Sequence, residues 1–67
     1  MNRKLKAKIF EVYGSQGDFA HVLRVHESDV SRVVRGRKEL PKTEQTRWAT
    51  FLHCEPEEVF RDGKNQG

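Results

Sequence analysis

The chain of 67 residues has one cysteine, two prolines, a 9% aromatic share and no long apolar run. One cysteine cannot form an internal disulfide, so a small core alone must hold the fold. Nothing resembles a secretory signal or a membrane-spanning stretch, which makes a reducing cytoplasm the expected location and leaves a membrane out of the expected partners. There is no repeat, heptad run or low-complexity tract, and no phosphate-binding glycine loop. A chain this short buries only roughly 60% of the surface its unfolded form exposes, so a deep substrate pocket is not expected. No serine, histidine and acid are arranged beyond chance, so an enzyme is not expected either. His21, His26, His53 and Cys54 are the only soft metal ligands, and their spacing does not resemble a closed zinc site. Neither a metal nor a cofactor is therefore expected.

Charge is abundant and unevenly placed. The net charge is +3, yet residues 1 to 42 carry ten Lys and Arg against five Asp and Glu, while residues 43 to 67 carry three against five. Positive potential concentrated in the N-terminal two thirds favours a polyanionic partner, although many small stable domains are basic.

Turn residues divide the chain into five short segments with apolar residues at helical spacing, which predicts a compact all-α domain. The first segment puts Leu5, Ile9, Val12 and Tyr13 on one face and stops at Gly14. The second, from about Gln16 to Leu23, buries Phe19, Ala20 and Leu23 behind Ser15 as N-cap, with Asp18 as an acidic variant of the capping box. The third, from about Glu27 to Arg35, gathers Val30, Val33 and Val34 on one side, opens on His26 as N-cap and ends at Gly36. Three valines are poor intrinsic helix formers, so tertiary packing must hold this segment. The fourth opens near Pro41 and turns Trp48, Ala49 and Leu52 inward. The fifth opens near Pro56, with Glu57 and Glu58 well placed against the helix dipole and Val59 and Phe60 closing the core. The helices should occupy residues 1–60, leaving 61–67 as a flexible polar tail.

The most informative stretch runs from Gln16 to Gly36. Small Ala20 allows two short helices to approach at a steep angle, Leu23 and Val25 flank the turn, and Val30 and Val33 wedge the second helix against the first. Gln16, Phe19, Ala20, Leu23, Val25, Ser28, Val30, Ser31 and Gly36 match, at fixed spacing, the pattern of the XRE or Cro/CI helix-turn-helix family. The chain resembles that family over roughly residues 3 to 60. The resemblance implies a five-helix, lambda-repressor-like bundle containing a helix-turn-helix, and a prokaryotic or phage-type transcriptional repressor, nucleoid-associated, that binds double-stranded DNA. It further implies a homodimer, at least on a near-palindromic operator, with the helix of about residues 27–35 in the major groove. The last helices often form the dimer surface in such proteins, which points to Val59, Phe60 and the residues that follow as candidates; a monomer that pairs only on DNA is equally allowed.

By the same resemblance Glu27, Ser28 and Arg32 fall where bases are read, with Ser31 close by on the same face. Chemistry agrees: Arg32 can donate a bidentate pair to guanine O6 and N7, Glu27 can accept from cytosine N4, and Ser28 can contact several bases. The competing reading has Arg32 on phosphate, with Glu27 and Asp29 merely stabilising a helix N-terminus. Gln16 stands at a helix N-terminus that attracts phosphate, and Arg35, Arg37 and Lys38 follow the third segment where a DNA backbone should pass. For Arg37, Lys38 and Lys42 a solvated loop competes with phosphate binding. Arg3, Lys4, Lys6 and Lys8 are candidates for additional contacts.

Two departures from the family pattern stand out. Arg24 occupies a turn position where glycine is common, and Ile9 and Val34 stand where an Arg–Glu pair often links the first and third helices. An apolar contact between these two would replace the ion pair without loss of stability. The rival to DNA binding is a protein-interaction module, such as an antirepressor or the antitoxin partner of a toxin, on the same fold. Exposure of Trp48 or Phe51 would favour that rival.

Overall fold

Asn2 begins the first helix by supplying what the helix lacks. Its side-chain oxygen accepts from the Leu5 amide at 3.0 Å, satisfying one of the amides that an opening turn leaves unpaired. In a computed structural model, which describes residues 1–60, helix α1 then runs Arg3–Tyr13. Four more follow: α2 Gln16–Leu23, α3 Glu27–Val34, α4 Lys42–Phe51 and α5 Pro56–Phe60. The fold is all-α among the described residues, and every segment expected from periodicity is helical. The region expected to form a polar tail, 61–67, lies outside the described residues.

The helix ends follow one rule with unexpected residues. Gly14 closes α1 at φ +87° and donates its amide to Phe10 O. The other closures at α2, α3 and α4 share a double bond pattern in which a left-handed residue donates three back and its successor donates five back. At α2 these bonds are Arg24 to His21 O and Val25 to Ala20 O; at α3, Gly36 to Val33 O and Arg37 to Arg32 O; at α4, His53 to Thr50 O and Cys54 to Ala49 O. Gly36 takes the left-handed conformation freely, but Arg24 (φ +62°) and His53 (φ +59°) carry a β-carbon there. The successors Val25 and Cys54 pack partly buried against the core, the apolar contact that usually accompanies this closure.

Leu5, Ile9, Phe19, Ala20, Leu23, Val30, Val33, Val34, Trp48, Leu52 and Val59 form one buried cluster to which all five helices contribute. Ile9 and Val34 both lie in it, at 0% and 2% exposure, so apolar burial stands where an ion pair was the alternative. Trp48 is the centre of the aromatic packing, with Phe19 edge-on at 5.4 Å and Phe60 at 6.3 Å, while Tyr13 lies 5.3 Å from Phe19. Val59 is 1% exposed and belongs to this core, so the dimer surface expected at Val59 is not available there. It is buried because α5 is only five residues long and must turn its single β-branched side chain inward to be held at all.

Polar side chains tie the helices at points the apolar pattern does not reach. Besides capping α1, Asn2 donates its backbone amide to Val34 O at 2.6 Å and its side-chain amide to Val59 O at 2.5 Å. One residue thus joins the start of α1 to α3 and α5. Tyr13 donates its hydroxyl to Phe51 O at 2.7 Å, linking α1 to the end of α4. Arg47 donates to Leu23 O at the end of α2 and stacks over the Phe51 ring at 5.7 Å.

Two stability predictions follow from these ends and ties. Asn2→Ala removes the cap and the bond to Val59 O but leaves the backbone bond to Val34, and should cost about 1–3 kcal/mol. Arg24→Gly relieves a left-handed side chain at the cost of extra unfolded-state freedom, and should stabilise by about 0.5–1 kcal/mol. Urea unfolding followed by Trp48 fluorescence reads both, since that lone tryptophan is buried in the core.

Candidate nucleic-acid interface

Helix α3 is built with two unlike faces. Val30, Val33 and Val34 are buried, whereas Glu27, Ser28, Arg32 and Arg35 are exposed and Ser31 is half-buried. Burial on one side therefore leaves the polar side chains on the other free to meet a partner. Glu27 and Asp29 sit in the first turn, where acidic groups complement the helix dipole. His26 occupies the N-cap position in extended backbone but makes no side-chain cap bond.

The candidates come together from two sides. A β-carbon placed on Gly17 would stand 3.4 Å from Glu27 Oε1, so the Glu27 carboxylate lies over the first turn of α2, next to half-buried Gln16. The start of α2 and the start of α3 thus share one region of the surface. At the other end of α3, the closing bonds from Gly36 and Arg37 fix the backbone that carries Arg35 and Arg37, and both side chains are exposed. The Asn2 bond to Val34 O also brings the exposed Arg3 and Lys4 to that end of α3. Lys6 and Lys8 are half-buried, and Lys8 pairs with Glu11 at 3.7 Å.

Asp29 is the residue that sequence reasoning underweighted. Its Oδ1 lies 3.4 Å from Arg32 Nη1 and 3.6 Å from Lys38 Nζ, so a candidate base reader and a candidate phosphate binder converge on one carboxylate. The Asp29–Arg32 spacing of three on a helix was a signal for the first contact. Lys38 reaches back across the turn after α3, and no local pattern marks that contact. Arg47 also forms an ion pair, binding Glu44 at 3.4 Å and the end of α2, and so holds structure rather than facing a ligand.

The remaining chemistry-bearing groups are dispersed. Among the described residues no group of three or more His, Cys, Asp or Glu could hold a metal ion, and no helix is long and apolar enough to cross a membrane. Trp48 is buried and Phe51 half-buried, so neither offers the exposed aromatic surface that would favour a protein-interaction module. The half-buried Cys54 thiol is pushed above its ordinary value first by burial and then by Glu58, with Glu55 adding and Lys8 opposing. A raised value means less thiolate near neutral pH, so Cys54 in the folded chain should react with an aromatic disulfide reagent more slowly than in urea. The pH at which its reaction accelerates should also lie higher than in the unfolded chain; equal profiles in the two states would contradict this.

Protein-family models, curated proteins and solved structures were compared with the chain, and none matches it.

Proposed function

We propose that the chain is a sequence-specific double-stranded DNA-binding domain in which α2 and α3 form a helix-turn-helix and α3 enters the major groove. The observation that carries this reading is the two-faced construction of α3, whose valines are buried while Ser28 and Arg32 face outward beside Arg35, Arg37 and Lys38. A helix held by its apolar side, with donors and acceptors on the other, is what direct readout of base edges requires. In this reading Arg32 takes a guanine, Ser28 and Glu27 contact neighbouring bases, and Ser31 lines the same face. Gln16, Arg35, Arg37 and Lys38 hold phosphates, from the start of α2 and the turn after α3.

Two copies on a near-palindromic operator would set their recognition helices about 34 Å apart, one turn of duplex. Repression by occluding polymerase then follows from occupancy alone. The acids Glu27 and Asp29 oppose phosphate attraction, and their presence supports a reader that rejects wrong sequences over a general polyanion binder.

Selection of sites from a random duplex pool, followed by a salt titration on the selected site, tests the proposal. Log affinity should fall linearly with log salt, and Arg37→Ala should reduce the slope by roughly 1. Glu27→Gln should loosen the selected sequence. A chain that binds no duplex at low salt, or selects no sequence, overturns the reading.

A further inference from the structure

We infer that Asp29 is a positioning residue for this surface, holding Arg32 and Lys38 in fixed relation so that Arg32 reads one base pair rather than several. The inference rests on the DNA-binding reading and adds a positioning role to a residue that the reading itself uses only as a repulsive charge.

The geometry supports it in three ways. First, the carboxylate is the fixed point of the cluster: the Asp29 side chain is 29% exposed, against 60% for Arg32 and 45% for Lys38. A short side chain rooted in the first turn of α3 anchors two long ones that would otherwise sample many rotamers. Second, the pair with Asp29 uses Nη1 of Arg32, which leaves Nε and Nη2 as the fork that matches guanine O6 and N7. Third, two cations lie within 3.4 and 3.6 Å of a single oxygen, a spacing that like charges keep only with a negative charge between them. Without Asp29 the two side chains should separate, while the bonds from Gly36 and Arg37 keep the backbone after α3 in place. A dipole-stabilising role explains an acid in the first turn but not the convergence of Lys38 from nine residues further on.

Exposed ion pairs at these distances do little for folding, so the role should be visible in orientation and selectivity rather than in stability. That separates it from a structural role and from a plain charge effect. Removing a structural residue should lower the unfolding midpoint and weaken all duplexes alike. Removing a charge should strengthen all duplexes alike. Removing a positioning residue should strengthen binding to random duplex while reducing discrimination at one base pair.

The experiment has two arms, using the full chain and its Asp29→Ala and Asp29→Asn variants, each first shown to be folded by Trp48 fluorescence. In the protein alone, nitrogen-15 relaxation of the Arg32 Nε–H group should report a restricted guanidinium in the wild type and a freely moving one in Asp29→Ala. On DNA, Arg32→Ala identifies the base pair that Arg32 reads within the selected site. Asp29→Ala should then bind random duplex about threefold more tightly. At that base pair its discrimination should fall about two- to fivefold, with the other positions unchanged. An Arg32 equally mobile in both proteins, or a discrimination ratio unchanged in the variants, overturns the role while leaving DNA binding standing. A wild-type chain that binds no duplex overturns the functional reading and this role with it, and the relaxation arm still reports whether Asp29 restrains Arg32.

Discussion

The structure depends on burying three valines from one short helix. Helix α3 is eight residues long, rich in β-branched side chains and without a side-chain N-cap bond, so little in its local chemistry favours a helix. Val30, Val33 and Val34 lie between 0% and 6% exposed in the common core, and that burial offsets the weak propensity. The same packing sets the rotation of α3 about its axis. Once the valines face inward, the projection of Ser28, Arg32 and Arg35 into solvent is a geometric consequence rather than a separate design.

Around that helix the remaining contacts work as closures and ties. The bonds that end α2, α3 and α4 share one pattern, and at α2 and α4 they form the short turn into the next helix. At α2 the closure uses Arg24 in a left-handed backbone, a local strain that the surrounding core sustains. Asn2 and Arg47 bind helix-end carbonyls of other elements, so backbone groups that a short helix leaves orphaned find partners elsewhere in the chain.

The charge on the exposed face of α3 is mixed. Arg35, Arg37 and the Arg3–Lys4 end of α1 add positive potential near the C-terminal end of α3, while Glu27 and Asp29 put negative charge at its N-terminal end. A surface serving only to bind a polyanion would gain from losing those acids. Asp29 lies between two cations and is engaged with them, while the exposed Glu27 carboxylate lies over the start of α2.

Helix number, helix type and the inward residues were legible in the sequence, because apolar spacing and end signals such as Ser15, Gly14, Gly36 and Pro56 act locally and leave a periodic trace. The outward character of Glu27, Ser28 and Arg32 was legible for the same reason, being the complement of the valine stripe. Only the tertiary structure decided that Asn2 joins three helices, that Arg47 serves the end of α2, and that Lys38 meets Asp29. Those contacts join residues from separate elements across the fold, and pairings of that kind depend on how the helices pack, about which the order of residues along one strand of chain carries no direct record.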